Sequence, residues 1–433
     1  MKILFRIILV KLLIIIGLNN LSSQTFYRTG ADESIDTSHL PGILLAGGAT
    51  DNDDAMTWML ERADGGDVVV IRAEGADGYN NYLYSSLGVN INSVTTIVIA
   101  SSEEANDDLV EEALMDAEVV FIAGGNQWDY INYWKGTRVQ DALEYLINTK
   151  EITIGGTSAG MAVLGEVVFT AENNTVYSSE ALADPYHWRV MLDNDFLKIP
   201  FLENTVTDTH YNRPENDDLL RKGRHVVFMA RMIEDWTMPA KGIAANEYTA
   251  IAVDESGIAR VFGDPDFEDH GFFLQKHGCN PEIIEAETPL TWNCDGEAVL
   301  VYRIPGNNEG NNMFDLTNWQ DAEGGEWEFW YVEEGELFED EAIVGGVDMV
   351  GSDSNISLYP NPALNTLKVR IAGAANYSHI DIIGVDGQII NSKDIESTNN
   401  SEILFDVENL NPGIYFVRIS GRENNTTIKW IKF

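Results

Sequence analysis

Residues 151–161 read Glu-Ile-Thr-Ile-Gly-Gly-Thr-Ser-Ala-Gly-Met. A short apolar strand runs into Gly156-Thr157-Ser158-Ala159-Gly160, and a helix-compatible stretch follows. The pentapeptide fits Gly-x-Ser-x-Gly, in which a serine sits on a sharp strand-to-helix turn. A residue there is held in a strained backbone conformation, so its neighbours must be small. Gly156, Ala159 and Gly160 meet that condition. The turn lifts the Ser158 hydroxyl clear of the sheet edge. The N–H groups at the start of the following helix then point at the same spot, where they can stabilise an oxyanion.

Such a turn requires a sheet whose strands exit into helices, and the chain upstream has that pattern. Buried-type strands are expected at Ile43–Ala46, Asp67–Ile71, Thr95–Ile99, Glu118–Ile122 and Ile152–Ile154. Helices are expected from Asp51–Asp54, whose acids open the first, through Arg62, over Tyr79–Leu87, after Ser102, and over Val139–Ile147. Ser102 is read as the cap of its helix, with Ala105, Leu109, Val110, Ala113 and Leu114 on one apolar face. Continuous β-branched runs separated by helices predict an α/β fold whose parallel sheet is covered by helices on both faces. Sites in such sheets form outside the carboxyl ends of the strands. Gly47-Gly48 and Gly124-Gly125 sit at those ends and are expected to face the same crevice as Ser158. An oxyanion hole needs a second backbone N–H from another loop, and Gly124-Gly125-Asn126-Gln127 is placed to supply it.

A serine nucleophile needs a base. Among seven histidines, His210 stands out, because Asn204-Thr205-Val206-Thr207-Asp208-Thr209-His210-Tyr211 puts it at the exit of a strand-like segment. The base in turn needs an orienting carboxylate. Between the two lie Glu166, Glu172, Glu180, Asp184, Asp193, Asp195 and Glu203, and spacing does not choose among them.

These residues resemble the serine peptidase family of cyanophycinases and aspartyl dipeptidases. The resemblance rests on Gly155-Gly156-Thr157-Ser158-Ala159-Gly160, Asp208-Thr209-His210-Tyr211 and Gly124-Gly125-Asn126-Gln127, and covers roughly residues 40–300. It implies a fold like that of class I glutamine amidotransferases, with Ser158 as nucleophile and His210 as base. It places the acid between them. Ser178-Ser179-Glu180-Ala181 matches the cyanophycinase setting, whereas Glu172 suits the shorter spacing of the dipeptidases, and Glu180 is the favoured assignment. Gln127 and Asp208 would line the substrate pocket. Cyanophycinases carry arginines after the histidine. Here Asn212-Arg213-Pro214-Glu215-Asn216-Asp217-Asp218 follows, so Arg213 keeps part of that role while Asp217 and Asp218 bring acid. A peptide or isopeptide substrate other than cyanophycin is then equally open. The implied chemistry is attack by Ser158, an oxyanion held by the N–H groups of Ala159 and Gly125, and an acyl-enzyme released by water, with no metal or organic cofactor. A catalytically silent protein binding peptide or glycan is the alternative.

The address is at the ends. Lys2 and Arg6 precede a mostly apolar run from Ile7 to Leu18, followed by Ser22-Ser23-Gln24. Residues 1–23 read as a secretory signal peptide. Export makes Cys279 and Cys294, the only cysteines, a simple disulfide pair. Of 27 basic and 70 acidic residues, the first 23 positions hold 3 and none, and those from Ile356 onward hold 7 and 8, leaving 17 against 62 in between. That middle would repel phosphate, so a nucleic-acid partner is excluded; a cationic substrate or calcium is compatible with it.

The catalytic unit is expected over 40–343, ending in a β extension at about 285–343 whose Trp292, Trp319, Trp327 and Trp330 pack as core. A linker is expected over 344–355. From Ile356 to Phe433 short strands and turn signals predict a small β-sandwich. Its Leu358-Tyr359-Pro360-Asn361-Pro362 opening, Gly413-Ile414-Tyr415-Phe416-Val417-Arg418-Ile419 strand and closing Lys429-Trp430-Ile431-Lys432-Phe433 resemble C-terminal sorting domains of the type IX secretion system. The resemblance implies that machinery as a partner and a secreted or cell-surface location.

Overall fold

The computed structural model describes residues 25–213, 221–341 and, with short interruptions, 356–432. The expected signal peptide, the linker and the acids Asp217 and Asp218 lie outside the described residues.

The fold is α/β. In chain order the first strands are β1 (Thr25–Gly30), β2 (Gly42–Ala46), β3 (Asp67–Arg72), β4 (Ser93–Val98), β5 (Val119–Ile122) and β6 (Thr153–Thr157). Five of them form a parallel core in the spatial order β4-β3-β5-β6-β2, and β1 pairs antiparallel with β4 at one edge. Burial on both faces explains their unbroken apolar runs. Leu44, Val68, Val70, Val119 and Phe121 point into one layer with Met56, Met59 and Leu60 of helix α1 (Asp53–Glu61). Their neighbours Ile43, Leu45, Val69, Ile71, Val120 and Ile122 point into the other. That second layer contains helices α2 (Asp108–Met115), α3 (Gln127–Trp134) and α4 (Arg138–Tyr145). Alternating side chains therefore feed two cores from one sheet.

Two local expectations are corrected. Helix α2 starts later than expected: Asp107, not Ser102, caps it by accepting from the Leu109 N–H at 2.8 Å, and Leu109 is 60% exposed rather than on the buried face. The expected helix at Tyr79–Leu87 is a single wide turn over Tyr82–Ser86.

After β6 the chain makes a short helix α5 (Ala159–Ala162), a two-stranded arch of β7 (Val168–Phe169) and β8 (Leu192–Asp193) enclosing helix α6 (Ser178–Ala183), then β9 (Thr205–Asp208). Helix α7 (Lys222–Trp236) leads to β10 (Lys241–Ala245), which pairs in parallel with β9. Strands β11 (Ala250–Val253) and β12 (Ile258–Phe262) extend the first sheet beyond β2, while β13 (His270–Lys276) and β14 (Val299–Pro305) extend the second beyond β10. Trp292, Trp319, Trp327 and Trp330 are all buried. Their aromatic surface is therefore spent on packing. Cys279 and Cys294 form a disulfide with their Cα atoms 5.5 Å apart.

The distal residues form a three-stranded sheet (Ile356–Tyr359, Thr366–Ile371, Ser401–Asp406) and a four-stranded one (Ile389–Asp394, Tyr377–Gly384, Gly413–Gly421, Asn425–Lys432). Leu367, Val369 and Phe405 from the first share one core with Ile380, Ile382, Val417 and Trp430 from the second. This is a small β-sandwich.

Candidate active site

Ser158 sits between β6 and α5 at φ 53°, ψ −118°, a strained setting for a residue with a Cβ. Two features hold it. Its N–H donates to the Ala46 carbonyl at 3.0 Å, tying the turn to the exit of β2. Gly160 lies so close to β5 that a Cβ there would sit 2.0 Å from the Ile122 carbonyl oxygen. The glycines of the motif thus permit close approach of helix to strand, and strain at the serine is sustained by packing around it.

The Ser158 Oγ lies 2.7 Å from His210 Nε2. His210 follows β9 and has φ 48°. Gly48 fills the space on the other side: its φ is +105°, and a Cβ there would meet the imidazole at 2.5 Å. Backbone bonds knit the strand exits together. The His210 N–H donates to the Gly47 carbonyl at 2.8 Å, the Gly47 N–H to the Thr249 carbonyl at 2.9 Å, and the Tyr248 N–H to the Gly48 carbonyl at 3.0 Å.

The carboxylate on the other side of His210 is Glu247, whose Oε1 lies 2.6 Å from Nδ1. This corrects the assignment of the acid to Glu180. Glu180 instead accepts from the Tyr177 N–H at 3.1 Å at the start of α6 and pairs with Arg189 at 2.6 Å. Glu172 is exposed and is not on His210. Glu247 was missed because only acids between Ser158 and His210 were considered. The signal was topological. Strands β9 and β10 run in parallel with Asp208 opposite Ala244, so the residues leaving each strand, Thr209-His210 and Asn246-Glu247, emerge side by side.

The electrostatics suit a base. Burial pushes the His210 imidazole below its ordinary pKa of 6.5; the Arg221 and Arg213 charges push the same way, against the opposing hydrogen bond and charge of Glu247. The ring is therefore neutral at pH 7. With Glu247 on Nδ1, the tautomer carrying the proton there leaves Nε2 free to accept the Ser158 proton.

The remaining expected site residues divide. The position of a Cβ on Gly124 lies 3.5 Å from the Ser158 Cβ, which places the Gly124-Gly125 turn against the serine. Among the described residues, neither the Gly125 nor the Ala159 N–H donates to a protein acceptor. Gln127 opens α3, and its Nε2 donates to the Phe169 carbonyl at 2.7 Å. Arg213 is exposed, and its N–H donates to the His210 carbonyl at 3.0 Å.

Asp208 is corrected. It does not line an open pocket but is buried in a two-pronged pair with Arg224, at 2.6 and 2.9 Å, while Arg224 also reaches Thr175 Oγ1. Burial would push its carboxyl up, but the Arg224 charge and hydrogen bonds, backed by Arg221, hold it below the ordinary value. Arg221 donates to the Thr209 carbonyl at 2.9 Å. Helix α7 thus anchors the end of β9 that presents His210. Asp208→Asn should therefore cost about 3–5 kcal/mol of stability in urea denaturation at pH 7, the usual loss when one partner of a buried pair is removed. A loss below about 1 kcal/mol would contradict the anchoring role. Because the folded pKa is depressed, the stabilisation is present above the unfolded value of 3.8 and is lost as pH falls through the folded one.

A hydroxyl on an imidazole on a carboxylate, at the strand exits of an α/β sheet, has the geometry of serine-type acyl-transfer sites. Residues 72–185, which include Ser158 and end before His210, match the model of peptidase family S51. Residues 357–432 match the secretion system C-terminal sorting domain. The match to a peptidase family over Ser158 supports a peptidase, and the sorting domain indicates a secreted or cell-surface location.

Among solved structures, it is similar to a peptidase from an acI-B1 Actinobacterium (14% identity, 52% of this chain and 88% of that one, TM-score 0.39). A Listeria monocytogenes EGD-e protein labelled as a Peptidase E matches at 17% identity over 52% of this chain and 99% of that one, TM-score 0.34. A Bacteroides vulgatus protein of the DUF3244 family, with an immunoglobulin-like β-sandwich, matches at 18% identity over 20% of this chain and 92% of that one, TM-score 0.18. No curated protein matches the chain.

Proposed function

We propose that this chain is a serine peptidase of the cyanophycinase and aspartyl dipeptidase kind, exported and then hydrolysing peptide or isopeptide bonds outside the cell. The observation that carries this is the continuous contact from Ser158 Oγ through His210 to Glu247. His210 takes the Ser158 proton as the oxygen attacks the substrate carbonyl. Glu247 holds the imidazole in the required tautomer and stabilises the imidazolium that forms. The N–H groups of Ala159 and Gly125 receive the oxyanion. His210 then protonates the leaving amine, and water releases the acyl group by the reverse sequence.

Arg213 and Arg221 put positive charge beside the imidazole, although the chain as a whole carries −43. A carboxylate next to the scissile bond would meet that charge favourably. A peptide library containing both α- and β-aspartyl linkages, digested and read by mass spectrometry, tests the reading. Cleavage should concentrate beside acidic residues, and a fluorophosphonate should label Ser158. No cleavage together with no labelling would instead favour a silent binding protein.

A further inference from the structure

A carboxylate beside the nucleophile turn, Asp51, plays no part in the contacts from Ser158 to Glu247. We propose that Asp51 and Thr157 form a positioning pair that holds the Ser158 turn against the loop behind His210, and that the pair serves rate rather than substrate affinity. The proposal deepens the peptidase reading and rests on it.

The two residues come from neighbouring strand exits. Ala46 and Thr157, the last residues of β2 and β6, stand opposite each other in the parallel register. Past Ala46 the chain turns sharply, with Gly48 at φ 105° and Ala49 at φ 67°, before it reaches Asp51. Asp51 Oδ2 accepts from the Tyr79 hydroxyl at 2.7 Å, and the Tyr79 ring packs edge-on against Phe121 of β5 with centroids 5.2 Å apart. The carboxylate is thereby fixed from one side. The Thr157 hydroxyl is near enough to favour the charged form of Asp51, against the effect of burial. Yet Asp51 Oδ1 and Thr157 Oγ1 are both buried, and among the described residues neither completes a hydrogen bond.

A buried polar atom without a partner costs stability. Valine at 157 would remove one of the two, in a strand position that favours β-branched residues. A local rule broken one residue before a nucleophile points to function. The loop shows which function. Its Gly47 carbonyl accepts the His210 N–H at 2.8 Å, and its Gly48 stands against the imidazole. The Ser158 N–H is tied to the Ala46 carbonyl, just before that loop. One loop therefore touches both the base and the nucleophile turn. When the Thr157 hydroxyl donates to Asp51, the loop closes on the turn and fixes the Ser158–His210 contact of 2.7 Å. Small misplacements of reacting groups cost rate steeply. Neither orphaned oxygen is open to a substrate, so the pair acts by position and not by contact.

The test uses the full chain and three readouts: kcat and KM on the best library substrate, the rate at which a fluorophosphonate labels Ser158, and a thermal melt. Thr157→Val should lower kcat and the labelling rate by about five- to twentyfold, with KM within about twofold. Its melting temperature should stay level or rise by about 1–4 °C, because an unpartnered hydroxyl is gone. Thr157→Ser keeps the hydroxyl and should restore both rates to within about twofold. Asp51→Asn should slow both rates as Thr157→Val does. The double variant should be no slower than the slower single one, since the two residues act as a unit. A purely structural role would instead make rate and melting temperature fall together. The proposal is overturned if Thr157→Val leaves both rates unchanged, if Thr157→Ser does not restore them, or if the single effects multiply in the double variant. A fall in melting temperature of more than about 4 °C in Thr157→Val overturns it too. The two readings fail separately. Cleavage and labelling that these substitutions do not touch remove the pair alone, whereas an unaltered chain that neither cleaves nor labels removes the peptidase reading, and the pair with it.

Discussion

Ser158→Ala should reduce peptide hydrolysis by about 10⁵–10⁶-fold, the scale seen when a serine nucleophile that works as a unit with its base is removed. The loss should fall on kcat, because the alanine leaves the crevice walls and the Gly124-Gly125 turn in place. Fold and stability should hardly change. Alanine keeps the Cβ that the positive φ already accommodates, and the Ser158 N–H bond to Ala46 belongs to the backbone. Initial rates on the best library substrate and a thermal melt check both halves. Residual activity above about one per cent of the unaltered chain would place the nucleophile elsewhere.

Glu247→Gln should lower kcat by about 10³–10⁴-fold, since an amide in that place can stabilise the wrong imidazole tautomer and cannot balance the imidazolium charge. A second readout separates this from mere loss of packing. Base catalysis needs neutral His210, so kcat/KM should fall on the acid side with an apparent pKa below 6.5. Glu247 raises the His210 pKa, whereas burial, Arg221 and Arg213 lower it. Removing Glu247 should therefore shift the acid limb to still lower pH. Glu180→Gln is the matching control. It loosens the start of α6 and the Arg189 pair but should leave kcat and the limb in place. If Glu180→Gln abolished the rate while Glu247→Gln spared it, the relay drawn from the contacts would be wrong.

The contrast between those two glutamates shows where one-dimensional reading stops. Ser158 was legible because its chemistry and its backbone geometry are written in five consecutive residues. His210 was legible because a strand-like segment ends just before it. The two-faced sheet was legible because residues such as Val68 and Val69 must each be buried, which only a covered parallel sheet allows. Asp107 taking the cap from Ser102 was a smaller miss: two cap-competent residues lay close together, and the helix began at the later one.

The acid was not legible in the same way. Glu180 and Glu247 are both ordinary carboxylates following ordinary patterns, and nothing local distinguishes them. What separates them is that β10 runs alongside β9 in parallel, bringing Asn246-Glu247 next to Thr209-His210. Asp208 is similar. The family resemblance implied a substrate contact for this residue, two positions before His210, yet helix α7 brings Arg224 from sixteen residues away to bury it. The partner of a charge is decided by whichever element packs over it.

The amino-acid order alone determined the parallel α/β core, the serine on its turn, the histidine at a strand exit and the sorting sandwich at the end, because each depends on residues adjacent in the chain. Tertiary structure alone decided which carboxylate faces His210, which charge Asp208 neutralises and which acid lies beside Thr157. Those depend on pairings between distant strands and helices, and a contact made through space leaves little local imprint on the sequence.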